Sequence, residues 1–291
     1  MDASPPVQPF EAERFNLEVQ TLGITRVLVN GNEPQWHAQG AREVFFYLLS
    51  HPAGRTRDQV VREVWNVEPG TLINTRFRVT VFRIRQALHA QDSVLEEHGV
   101  YHLNDLIVQV SDVQRFRAGL KDVRHHTDPG LQMQGLKDTL EHYQGLYLCE
   151  LSSDWVLGIR ADLQAKQARA LLHLARLLCE RLECKSSIAA RQQALHADPY
   201  LGEHHHQDLM RCMSQMYSKF DAIEHYRRFV LLLKMEVQDT PMPETVQLAE
   251  DIKNNLLLAV PCARDTLDLE RGCVLRQWCG QANFDETPFQ S

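Results

Sequence analysis

No apolar run in this sequence approaches the roughly 20 residues that a helix needs to cross a bilayer, so a helical membrane protein is excluded. Met1 to Arg14 is acidic and proline-containing with no apolar core, and no secretory signal is expected there. Cysteine is sparse. The seven present are odd in number and scattered, which suits a reducing cytosol better than a disulfide framework. Cys262, Cys273 and Cys279 lack the spacing of a zinc site, while Cys149, Cys179, Cys184 and Cys212 fall in or beside helical stretches. Enzyme signatures are missing too: no Gly-rich phosphate loop, no G-x-S-x-G, and no histidine pair at four-residue spacing beside a glutamate. We therefore expect no enzyme, no cofactor and no resident metal. His204-His205-His206 invites a metal reading, perhaps with His225. Three consecutive helical residues point about 100° apart and cannot share one ion, so His206 is expected to face the core and its neighbours water.

One further absence organises the rest. No acidic residue occurs between Glu68 and Asp92, although the whole chain carries a formal charge of −7. Within that window, Thr71 to Leu88 reads as one helix. Ile73, Phe77, Val81, Ile84 and Leu88 make an apolar stripe at helical period, with Arg76, Arg78, Arg83 and Arg85 off it. The face opposite the stripe carries Thr75, Val79 and Phe82, flanked by Arg76 and Arg83. Val79 and Phe82 are unusual on a merely solvated face and suit a surface that touches something, such as thymine methyls in a major groove. Residues 15–117 balance eleven basic against eleven acidic groups, so the arginines form a local positive footprint in a neutral region.

Around this helix the chain reads in order. Phe15, Leu17 and Val19 alternate as a half-buried strand, and Val27-Leu28-Val29 before Asn30-Gly31 signals a hairpin with a type I′ turn. A helix follows from about Ala41 to Ser50, with Val44, Phe45, Leu48 and Leu49 as its apolar face. A second opens on Thr56-Arg57-Asp58-Gln59, a capping-box pattern, and buries Val60, Val61, Val64 and Trp65. The arginine helix is third. Ser93–His98 and Val100–Leu103, around Gly99, form two short strands. Strands, three helices and a β-hairpin in this order make a winged helix-turn-helix, whose third helix enters the major groove.

Arg42 to Leu49, Thr56 to Trp65, Val81 to Leu88 and Gly99-Val100-Tyr101-His102-Leu103 together resemble the OmpR-type winged helix, the subclass with extra strands ahead of the helices. The resemblance implies double-stranded DNA as partner. Thr75, Arg76 and Arg83, with Val79 between them, are the candidates for base or groove-edge contacts. Arg78, Arg55 and Arg57 are candidates for phosphate contacts, and His98 and His102 for backbone or minor-groove contacts from the wing.

After the surface loop at 125–130 every signal is helical, with candidate helices at 131–146, 155–183, 186–197, 203–217, 219–236 and 243–258. Ile188-Ala189 falls 34 residues before Ala222-Ile223, the tetratricopeptide period. Tyr143-Gln144-Gly145 with Leu148, Asp154-Trp155, Arg160, Ala194 to Pro199, Glu203, His206, Leu209-Met210, His225-Tyr226 and Pro243-Glu244-Thr245 resemble the bacterial transcriptional activator domain. Paired with the winged helix, this is similar to the Streptomyces antibiotic regulatory protein (SARP) family.

The expected fold is mainly α with small β elements. It comprises an extension (1–14), a winged-helix domain (15–117), a tetratricopeptide-like domain (118–260) and a tail (261–291). The expected function is a cytoplasmic, sequence-specific DNA-binding transcription regulator, an activator that recruits RNA polymerase at repeated promoter elements and pairs with a second protomer. The alternatives are a regulator gated by a small molecule or nucleotide second messenger, and a tetratricopeptide-like adaptor without DNA binding.

Overall fold

The structure, a computed structural model, describes residues 16–256. The N-terminal extension, Phe15 and the tail with Cys262, Cys273 and Cys279 lie outside the described residues. Within them the chain divides into two compact units, residues 16–125 with 138–163, and residues 126–137 with 164–256.

In the first unit, alternation places Leu17 and Val19 on the buried face of β1 (Leu17–Gln20), which pairs antiparallel with β2 (Arg26–Val29), Leu17 opposite Val29. The Asn30-Gly31 turn forms as expected, both residues at positive φ, but the chain returns for a single bridge, Val29 to Asn32, and no strand follows. The hairpin is β1–β2 itself. Helix α1 (Gln39–Ser50) is buried along most of its length because it lies at the centre of this unit. Next come β3 (Arg55–Thr56), α2 (Arg57–Trp65) and α3 (Thr71–Ala87).

The capping box is complete. Gln59 N–H donates to Thr56 Oγ1 at 3.3 Å and Thr56 N–H to Gln59 Oε1 at 2.8 Å, worth about 1 kcal/mol. Strands β4 (Val94–Glu97) and β5 (Val100–Leu103) form the wing. His98 and Gly99 both have positive φ, as a two-residue type I′ hairpin requires. Sheet order is β3-β5-β4, so the two-residue β3 anchors the wing to the start of α2. Helices α1–α3 with this sheet make a winged helix.

Short α4 (Asp105–Gln109) and α5 (Asp112–Val123) lead on to α6 (Pro129–Glu141) and α7 (Asp154–Glu180). Helix α6 stops at Glu141 rather than running to 146, because the chain then turns back onto the segment that follows β1. Gly23 N–H donates to Leu146 O at 3.1 Å and Leu148 N–H to Thr21 O at 2.7 Å. Gly23 has φ +96°, and a Cβ there would come within 3.0 Å of the Gln144 carbonyl, so glycine is required by conformation and by space.

Two charged side chains hold these irregular stretches. The Asp112 carboxylate accepts from Thr21 N–H, Thr21 Oγ1, Leu22 N–H and Val113 N–H at 2.6–2.9 Å. The Arg160 guanidinium donates to the carbonyls of Tyr147 and Leu151, both at 2.6 Å, and of Leu148. Tyr147 is fully buried, its hydroxyl 2.7 Å from Ser50 Oγ, and burial pushes its pKa up to about 12.

The second unit contains part of α6 and α7, then α8 (Cys184–Ala197), α9 (Glu203–Met216), α10 (Lys219–Leu232) and α11 (Pro243–Lys253). Ile188 and Ala222, 34 residues apart, are both fully buried in a core with Leu195, Leu209, Met210, Met213, Leu248 and Ile252. The two helical pairs differ in length: α8 to α9 spans 19 residues start to start and α10 to α11 spans 24. A π turn at Leu233–Val237 and the irregular run to Met242 make up the difference.

Glu203 fixes the second pair by accepting from Met242 N–H at 3.1 Å and Thr245 Oγ1 at 2.5 Å, at the Pro-led start of α11. His206 is buried, as expected. Its Nδ1 lies 3.2 Å from His225 Nε2, and its ring stacks on Phe229 at 4.0 Å. Burial pushes His206 down to about 3 and His225 to about 4, so both are neutral. Among the described residues no cluster of three or more His, Cys, Asp or Glu is arranged to hold a metal ion, and no helix is long and apolar enough to cross a membrane.

Candidate nucleic-acid interface

Helix α3 is positioned from three sides. Phe77 and Ile84 are fully buried, Phe77 packing edge-on against Trp65 (6.4 Å) and Tyr101 (4.8 Å). Arg85 donates from Nη2 to the Val94 carbonyl at 2.7 Å, tying the helix to the wing. The expected stripe is therefore the buried side, with Thr80 and Ala87 added to it and Ile73 only half-buried near the helix start.

The opposite side is bare. Leu72 is 87% exposed, Val79 42% and Phe82 51%, and Thr75, Arg76 and Arg78 are exposed beside them. At about 100° per residue, Leu72, Thr75, Val79, Phe82 and Gln86 share one line along the helix, with Arg76 and Arg83 on one flank and Arg78 on the other. Leu72 and Phe82 extend the face beyond the named contact candidates. The signal for Leu72 was its place seven residues, two helical turns, before Val79.

The arginines differ in setting. Arg76 lies with its guanidinium 4.2 Å from the Trp65 ring centre, a cation–π contact that pre-orders a long side chain and leaves its in-plane N–H groups at the edge. Trp65 is thus half-buried support for Arg76. Arg83 is half-buried and Arg78 faces a cleft of about 610 Å³ between the start of α2, α3 and the wing. Arg57 and Arg85 also line this cleft, together with the carboxylates of Asp58 and Glu96. Arg57 is paired with Asp58 at 2.9 Å, which lowers its net charge as a phosphate ligand.

Arg55 points elsewhere. As the first residue of β3 it faces the interior, its Nε is buried, and its charge acts on the Tyr47 hydroxyl, which donates to Glu63 at 2.8 Å. His98 is exposed at the wing tip. His102 is half-buried, its Nδ1 3.2 Å from Leu103 O and its Nε2 3.9 Å from Glu97. The structure thus gathers Thr75, Arg76, Arg78, Val79 and Arg83 on one helix, adds Arg57 across the cleft and His98 at the wing tip, and leaves Arg55 and His102 turned away. The wing also carries Glu96 and Glu97, both exposed, an acidic edge that weakens any approach to phosphate.

The described residues thus combine a winged helix, whose third helix has a basic and partly apolar outer face, with a helical repeat unit that follows it in sequence. Residues 111–253 match the family described as the bacterial transcriptional activator domain. Among solved structures, "Mycobacterium tuberculosis EmbR in complex with low affinity phosphopeptide" is similar, with a TM-score of 0.63 and 18% identity over 83% of this chain. The likeness is one of fold, and this chain spans 66% of that one, a little under two thirds. No curated protein matches the sequence. The fold is thus a winged helix followed by a helical stretch that matches the bacterial transcriptional activator domain.

Proposed function

We propose that this regulator binds duplex DNA in a sequence-specific manner through α3 and activates transcription from repeated promoter elements by contacting RNA polymerase. The observation that carries the reading is the outer face of α3. Thr75, Arg76, Arg78 and Arg83 stand there around Val79 in a 17-residue helix with no acidic residue, held from behind by Phe77, Ile84 and Arg85. A helix diameter of about 10–12 Å fits the major groove of about 12 Å. Gly70 gives α3 no side-chain cap, so its first-turn N–H groups add to the positive end.

The helical unit supplies protein contacts, with polymerase and with a second protomer on the adjacent half-site. A few kcal/mol of such contact raises polymerase occupancy tenfold per about 1.4 kcal/mol. The protein acts in the bacterial cytoplasm, on the nucleoid. The test is a titration of promoter duplex at several salt concentrations. Affinity falling steeply with salt, and lost for scrambled sequence, is the expected result. Salt-sensitive retention with no sequence preference leaves only non-specific binding and removes the regulator's specificity from α3.

A further inference from the structure

The bare apolar residues of α3 are unexplained by phosphate binding. Leu72, Val79 and Phe82 are each more than two-fifths exposed in a helix whose other hydrophobic side chains are buried or, at Ile73, half-buried. They lie on one line rather than scattered, and arginines flank that line on both sides. Positive charge on both flanks, with no acidic residue in the helix, suits a groove-reading face: phosphates lie on both rims and base edges at the floor. Along the helix axis Val79 and Phe82 are about 4.5 Å apart and Leu72 and Val79 about 10 Å. Base pairs are stacked 3.4 Å apart, so Val79 and Phe82 meet neighbouring base pairs and Leu72 lies about three further along. The one apolar group that a base pair shows in the major groove is the thymine C5-methyl.

We infer that Leu72, Val79 and Phe82 read thymine methyls, making this a regulator of a thymine-containing element recognised by apolar contact, with Arg76 and Arg83 positioning the helix. This rests on the DNA-binding reading above and specifies its target. Phe82 and Val79 are the specificity-determining residues, and substituting them changes which base is preferred more than how tightly DNA in general is held.

The experiment uses the full chain. A motif is first selected from random duplexes at low salt. Binding of the selected duplex is then measured with each thymine replaced in turn by deoxyuridine, which removes only the methyl. The expected result is a loss of about fourfold per methyl that is read, as burial of one such group predicts. That loss should vanish at the matching position for Val79→Ala or Phe82→Ala, whose thermal unfolding is unchanged because both positions are exposed. A selected motif without thymine, or equal binding of the deoxyuridine duplexes, overturns the inference and leaves DNA binding standing. In that case a protein partner becomes the occupant of the stripe. Retention of no duplex at low salt overturns DNA binding itself, and the inference with it.

Discussion

The two compact units satisfy their buried polar groups in different ways. In the winged-helix unit, charged side chains bind backbone: Asp112 takes four donors from the β1 exit and the start of α5, and Arg160 takes three carbonyls from the turn after α6. In the helical unit the networks between helices chiefly join side chains to side chains: Arg191–Asp208–Arg211, Glu203–Thr245–Gln207 and His206–His225, with Met242 N–H a backbone donor to Glu203. The cause is the backbone. Helices satisfy their own amides, so polar side chains between them fix which helix face meets which. Loops that turn back on a sheet leave N–H and C=O groups without partners, and a single carboxylate or guanidinium covers several at once. The first unit is thus stapled at its irregular segments, and the second is keyed at helix contacts.

That contrast can be broken at its strongest point. Arg160→Ala exposes three carbonyls at once and is expected to destabilise the winged-helix unit by roughly 3–5 kcal/mol. In a two-step melt, the transition that shifts should be the one reporting Trp65 and Trp155. An equal shift of the helical unit's transition contradicts the division.

Acid separates the units from the other side. His206 and His225 are held neutral, with pKa values about 3 and about 4 against 6.5 when unfolded. The unfolded chain therefore binds more protons, and the stability these residues confer is complete above pH 6.5 and lost as pH falls to about 4 for His225 and about 3 for His206. The slope is roughly 1.4 kcal/mol per pH unit for each histidine. The helical unit should lose its far-ultraviolet circular dichroism first on acidification, and His206→Phe should flatten that dependence.

A smaller effect sharpens the functional side. Arg76→Ala is expected to weaken specific DNA binding by about 1–3 kcal/mol while leaving the unfolding temperature nearly unchanged, since Arg76 is exposed and rests on the Trp65 face. Unchanged affinity in a low-salt titration removes Arg76 from the interface. Smallest is Thr56→Ala, which removes one half of the α2 capping box and should cost about 1 kcal/mol in chemical denaturation, with DNA affinity following only as far as α2 frays.

Local chemistry made much of this legible in the sequence. Thr56 with Gln59 marked the start of α2, the four-four-three-four stripe marked the buried side of α3, and Gly99 marked the wing turn. The 34-residue offset correctly paired α8 with α10 through Ile188 and Ala222. What escaped depends on distant partners. Strand β3 is two residues long and exists only because β5 lies beside it; its register turns Arg55 inward. Asp112 and Arg160 look like ordinary helix residues until the loops they bind are in place. Asn30-Gly31 made its turn, but a turn signal says nothing of whether a strand follows.

The most direct measurement is selection of genomic fragments by the purified protein, read across a salt series. This account predicts enrichment of a short repeated element whose affinity falls steeply with salt and drops with Arg76→Ala. Fragments retained without a common element, or nothing retained even at low salt, would contradict the claim that the outer face of α3 reads DNA.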